Sequence, residues 1–182
     1  MPYPHPDITP NPSTAPARGV ERLSLSYFRC YEIFSVSVDC RPVVLTGPNG
    51  AGKTNLLESL SFLIPGRGLR HACLSEVRRQ GHSQPWAVSV QLRDGEETIQ
   101  IGTGLDPEVP DSERRLTKIN GEKVKSQSAL AQWVSVLWLT PQMDRLFLEG
   151  SQGRRRFLDR LVYGFESSHA QRLNRYEHVL QE

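Results

Sequence analysis

PVVLTGPNGAGKTNLLESLSFLIPG, residues 42–66, decides the fold. Pro42–Thr46 is a short continuous apolar run bounded by Pro and Gly, which predicts a strand buried on both faces. It leads into Gly47-Pro48-Asn49-Gly50-Ala51-Gly52-Lys53-Thr54, a full match to GxxxxGK[ST]. Glycines are required there because the backbone must curl until successive N–H groups point inward at phosphate oxygens, a path that a Cβ obstructs. A helix starting near Gly52 adds its partial positive charge to the same spot. Leu56, Leu57, Leu60, Leu63 and Ile64 mark one helical stripe that stops at Pro65-Gly66. With strand before and helix after, a chance glycine turn is the poorer reading. The expected ligand is ATP with Mg²⁺: Lys53 neutralises the β- and γ-phosphates and the Thr54 hydroxyl ligates the metal.

Working outward, Met1 to about Gly19 is dense in Pro, Ser and Thr without apolar periodicity and reads as a disordered leader. From Val20, Leu23, Leu25 and Tyr27, then Phe34, Val36 and Val38, alternate with polar residues, predicting a hairpin of two half-buried strands. Trp86, Val88, Val90 and Leu92 alternate next, Asp94-Gly95 turns, and Ile99 and Ile101 alternate again. Asn120-Gly121 signals another hairpin, so about His82 to Val124 is expected to form an antiparallel β subdomain. Pro107 and Pro110 mark an exposed loop, and Val134–Leu139 is a further candidate buried strand. From Ser151 the spacing turns helical, with Phe157, Leu158, Leu161 and Val162 on one side and Arg154, Arg155 and Arg156 opposite. Leu173, Tyr176, Val179 and Leu180 continue that spacing. The expected class is α/β, a phosphate-loop NTPase head lobe of the ABC/SMC type over residues 20–150. It carries an antiparallel β subdomain and the start of a helical second lobe at 151–182.

Composition narrows the function classes. The 182 residues are 37% apolar and 23% charged, ordinary for a globular chain long enough to bury a good core. The apolar runs fall far short of the roughly 20 residues that a membrane-spanning helix needs, and the Pro-rich start lacks the apolar centre of a secretory signal. The expected location is the cytoplasm. Three cysteines, Cys30, Cys40 and Cys73, without CxxC spacing argue against a disulfide framework or a zinc site and read as reduced, partly buried residues. The net charge is only +2, but Arg67, Arg70, His71, Arg78 and Arg79 cluster in one segment and Arg154–Arg156 in another. Such clusters suit a phosphate backbone and also suit an ordinary solvated helix face.

Three separated stretches in the same order carry a resemblance. They are Leu25-Ser26-Tyr27-Phe28-Arg29-Cys30-Tyr31, VVLTGPNGAGKTNLLESLSFLIPGRGLR (residues 43–70) and LTPQMDRLFLEGSQGRRRFLDRLV (residues 139–162). Together they resemble the N-terminal lobe of the bacterial recombination and repair protein family RecF, and the likeness runs from Val20 to Glu182. The resemblance implies an ABC-type ATPase of DNA replication and recombinational repair, active in the DNA-damage (SOS) response. Such a protein dimerises around ATP on DNA and supports recombinase loading at single-strand gaps or duplex junctions with RecO- and RecR-like partners. It implies a nucleotide contact for Arg29, whose alternative is a cross-strand pair. It implies a Mg²⁺- and water-sensing role for Gln142, otherwise a polar loop residue, and an arginine-rich helix start at Arg154–Arg156 that meets DNA, a partner subunit or nearby acids.

The chain departs from the family pattern in one respect. No LSxGQ-type signature and no acid-tipped strand follow the loop; the look-alikes Leu23-Ser24 and Val38-Asp39 precede it. The expectation is an N-terminal half that binds Mg·ATP without appreciable turnover. The alternatives are an ABC transporter nucleotide-binding subunit and a non-catalytic nucleotide-binding module.

Overall fold

The computed structural model describes residues 18–109, 114–141, 143, 148, 150–166, 169, 172, 175, 176 and 179. The expected leader, apart from Arg18 and Gly19, lies outside them. Strands β1 (Arg18–Phe28) and β2 (Tyr31–Ser37) form the expected hairpin, with Leu25 opposite Phe34. The loop helix α1 (Lys53–Ser61) and a one-turn helix α2 (Leu74–Val77) follow. Then come β3 (Ala87–Asp94), β4 (Glu97–Leu105), β5 (Arg115–Ile119) and β6 (Glu122–Lys123). A 3₁₀ turn at Gln127–Gln132 and helix α3 (Ser151–Phe165) complete the described elements.

All six strands belong to one sheet, in the order β2-β1-β3-β4-β5-β6, and every ladder among the described residues is antiparallel. The sequence reading placed the first hairpin outside a separate β subdomain. In the structure β3 instead pairs with β1, Leu25 opposite Val88, and the sheet begins at Arg18. Alternation decides its faces: Leu23 and Leu25, Val88 and Val90, and Ile99 and Ile101 all point into one core. Leu56, Phe62 and Leu63 of α1 and its exit cover that face. Trp86 joins them, its ring 5.0 Å from Phe62 and 5.7 Å from Phe28 in tilted and edge-on contacts. Its indole N–H donates to the Leu74 carbonyl at 2.8 Å. Asn120 (φ 50°) and Gly121 (φ 85°) close the β5–β6 hairpin. That is the left-handed backbone two-residue turns need.

Helix α1 stops at Ser61, short of the predicted Ile64. The Phe62 and Leu63 amides reach back only three residues, to Ser59 and Leu60, so the final turn tightens. The freed carbonyls of Phe62, Ile64 and Gly66 are taken by the guanidinium of Arg115, the first residue of β5. Burial lowers the pKa of Arg115 to about 10, which leaves it charged at neutral pH.

Two predicted strands do not form among the described residues. Pro42–Thr46 and Val134–Leu139 carry no ladder. Val43 is 56% and Val44 82% exposed, while Leu137 and Leu139 are 50% and 77% exposed. Leu45, Val134 and Val136 rest against the core edge. Strand formation requires a neighbour to accept backbone hydrogen bonds, and the described residues offer none there. Two helical stripes are also narrower than expected: Leu57 and Leu158 are 55% and 59% exposed because no described element covers those flanks. Cys30 and Cys73 are exposed rather than partly buried, Cys40 is partly buried, and all three are free thiols. The C-terminal spacing falls largely outside the described residues, Leu173 and Leu180 included. Among those described, no helix is long and apolar enough to cross a membrane.

Candidate functional site

The loop Gly47–Thr54 follows the segment Pro42–Thr46 and turns into α1 as its spacing requires. Gly47, Gly50 and Gly52 hold φ of 136°, 85° and 93°. L side chains avoid that region. Gly52 is constrained twice. A Cβ there would sit 2.6 Å from the Tyr31 hydroxyl and 2.9 Å from the Cys30 sulfur, so the β1–β2 turn presses directly on the loop. Desolvation, then the neighbouring Cys30, raise the Tyr31 pKa, keeping the phenol neutral against the loop. Helix α1 begins at Gly52 with no side-chain cap and no acid in its first turn, so its first amides keep their donor capacity for an anion. Lys53 lies over the loop and donates to the carbonyls of Gly47 and Pro48, both at 2.7 Å. The Thr54 side chain, one residue on, is exposed.

A cleft of about 580 Å³ opens at Thr54, lined also by Arg70, His71, Trp138, Thr140 and Pro141. That volume falls in the range of small-molecule sites. Pro141 and Met143 both line it; Gln142, between them, lies outside the described residues.

Arg29 occupies the β1–β2 turn with φ 51°. It does not make the cross-strand pair. It forms a two-pronged ion pair with Glu58 of α1, at 2.7 and 3.0 Å, and donates to the Glu76 carbonyl at 2.9 Å. Glu58 is fully buried and also receives Arg70 at 3.1 Å, while Arg70 reaches Asn55 at 3.2 Å. Two guanidiniums thus share one carboxylate on the phosphate-loop helix. The backbone brings a second cleft, about 470 Å³, to the same place: the Arg29 amide donates to Val77, the Arg79 amide to Tyr27, and Phe28 bridges Arg78. Arg79 donates to the Cys30 carbonyl as well. The basic segment 70–79 is therefore tied to α1 and to the β1–β2 turn through Arg70, Arg78 and Arg79.

Arg154 and Arg155 are exposed on the first turns of α3, and the backbone of Arg156 lies in the same helix. Arg155 stands 3.9 Å from Asp159 and 4.9 Å from the Tyr176 ring centre. Sequence reasoning missed Glu58 and Arg115. Each had a signal: an acid inside the LLESLSFL apolar stripe, and an arginine opening a strand whose neighbours alternate inward.

Comparison with known proteins comes down on the same side. A family model described as "AAA domain, putative AbiEii toxin, Type IV TA system" matches residues 43–121. The DNA replication and repair protein RecF of Rhizobium rhizogenes is 45% identical over 161 residues, which cover 88% of this chain and 43% of that protein. RecF of Agrobacterium fabrum is also 45% identical, over 162 residues and 43% of its length. Among solved structures, the recombination mediator protein RecF-ATPrS in the RecFOR pathway superposes with TM-score 0.78 at 23% identity, over 91% of this chain and 43% of that one. A chain from a study of ATP-driven dimerisation and DNA-stimulated activation of SMC ATPases gives TM-score 0.60 at 16% identity, over 79% of this chain and 99% of that one. These structural likenesses establish the fold, a phosphate-loop NTPase head. The chain spans about 43% of the length of the curated relatives it matches.

Proposed function

We propose that this chain, RecF-like over 88% of its residues, is the ATP-binding portion of a DNA replication and repair ATPase. The observation that carries this reading is the complete loop with Lys53 and Thr54 at the uncapped start of α1, beside a cleft of nucleotide size. In this reading the loop amides and Lys53 hold the β- and γ-phosphates, and Thr54 ligates Mg²⁺, joined by Gln142. Arg29 and Arg70 stand ready to exchange part of their hold on Glu58 for nucleotide phosphate. A catalytic acid and a signature segment come from chain that the relatives have beyond the matched portion. The exposed valines and leucines of Pro42–Thr46 and Val134–Leu139 suit a sheet interior, so both segments are open to further ladder partners.

The expected activity of these 182 residues alone is Mg·ATP binding with little turnover. The proposed setting of that binding is an ATP-dependent homodimer on DNA gaps or duplex junctions, with RecO- and RecR-like partners in the cytoplasm. Calorimetric titration with Mg·ATP, beside phosphate release over hours, tests this. Binding that is weakened in Lys53→Ala supports the reading. Absence of binding by the folded parent sinks it, and robust hydrolysis that depends on Lys53 places a catalytic acid within this chain.

A further inference from the structure

Arg115 is 9% exposed, yet it pairs with no carboxylate among the described residues. Burying a guanidinium is costly unless its donors are met. Here hydrogen bonds meet four of the five N–H donors. Nε donates to the Thr103 hydroxyl at 2.8 Å, Nη1 to the Gly66 carbonyl at 2.7 Å, and Nη2 to Phe62 and Ile64 at 2.7 and 3.0 Å. The guanidinium also lies 5.7 Å from the centre of the Phe62 ring. That separation is within reach of a cation–π attraction. Three alternate carbonyls, that of the C-cap Phe62 and those of Ile64 and Gly66 in the exit from α1, thus converge on one cation that is rooted in the sheet. An apolar side chain would fill this space without fixing anything; a planar fork fixes where the three carbonyls sit.

We propose that Arg115 is a positioning residue for the phosphate loop, a role that rests on the nucleotide-binding reading above. Helix α1 is a short rigid rod, with Arg115 at its end and Lys53 at its start. Over its length of about 12 Å, a tilt of roughly 10° at the far end moves the first turn by about 2 Å. Displacements of that size matter where charged groups must meet phosphate oxygens. The same anchor holds Gly66, the root of the segment that returns Arg70 to Asn55 and Glu58 beside Thr54. Strand β5 therefore sets two components of the site, the loop helix and the Arg70 segment, through one side chain that touches neither nucleotide nor metal.

The test compares Arg115→Met, which removes all four bonds, Arg115→Lys, which keeps the charge without the fork, and Val90→Ala, a core control in β3. Mg·ATP affinity is measured by calorimetry at a temperature where circular dichroism shows each variant folded. The expected result is about tenfold weaker binding for Arg115→Met, partial rescue by Arg115→Lys, and parental affinity for Val90→Ala despite its lower Tm. Parental affinity in folded Arg115→Met reduces Arg115 to a stabilising role and overturns the proposal. Should Arg115→Met not fold, parental affinity in Arg115→Lys overturns it in the same way. If the parent itself binds no Mg·ATP, the nucleotide reading fails separately, and amide exchange decides the mechanical point. Faster exchange confined to Lys53–Leu57 and 66–71 supports positioning, whereas a uniform rise across the sheet overturns it.

Discussion

The six-stranded sheet and the two apolar segments Pro42–Thr46 and Val134–Leu139 share a composition and differ in outcome. Val88, Val90 and Ile101 lie at 0% exposure with both backbone edges of their strands paired, while Val43, Val44, Leu137 and Leu139 are half or more exposed with no ladder. Apolar, β-branched sequence is thus not enough to make a strand, which exists only where a neighbour takes its hydrogen bonds. The consequence for function is uneven support. Behind the loop, α1 is fixed by the core, by Glu58 and by Arg115, whereas the segment leading into Gly47 leans on the core only through Leu45 among its described residues.

The contrast can be broken by mutation, and the largest effect is expected in the sheet core. Trp86 fills the space between Phe28 and Phe62 and donates to the Leu74 carbonyl. Trp86→Ala, which empties that space and removes the bond, should cost about 4 kcal/mol. Leu139→Ala should stay within about 0.5 kcal/mol. Urea melts of the two variants check both, and equal losses would show that segment 134–139 is packed in solution. Next comes Glu58→Ala, expected to cost about 3 kcal/mol because Arg29 and Arg70 lose their shared carboxylate at a fully buried position. A melt unchanged from the parent would mean that solvent serves both arginines equally well. Lys53→Ala should leave the melt unaltered within about 0.5 kcal/mol but weaken Mg·ATP binding by about tenfold, since a charge-assisted contact is worth roughly 1.5–3 kcal/mol. The smallest effect is expected at α3. DNA association should be sequence-independent and fall with salt, and reversing the charges of Arg154, Arg155 and Arg156 should flatten that salt slope by up to about three ions. Anisotropy titrations of duplex DNA across a salt series read this directly, and an unchanged slope removes α3 from the DNA surface.

Much of the fold was legible because its signals are local. Alternation marked β1 to β4, Asn120-Gly121 marked the β5–β6 turn, and the glycine spacing marked the loop and the start of α1; each depends on residues a few positions apart. Gly52 illustrates the boundary. Its need for positive φ follows from the motif, whereas the closeness of Tyr31 and Cys30, which forbids a Cβ for a second reason, is a contact between segments distant in the chain.

The sequence by itself therefore determined the phosphate loop, the start of its helix, the alternation of β1 to β4 and the resemblance to RecF. All are written in spacings that the backbone periods of helix and strand read directly. Only the tertiary structure decided that Arg29 grips Glu58 instead of a neighbouring strand and that Arg70 and Arg79 reach back to α1 and the β1–β2 turn. It alone showed that Arg115 ends α1 from 49 to 53 positions away, and that Pro42–Thr46 and Val134–Leu139 stay without ladders among the described residues. The reason is the same in each case. A long charged side chain, or an unpaired strand, finds its partner by position in space, and no local period in the chain encodes which distant carbonyl, carboxylate or strand edge will stand beside it.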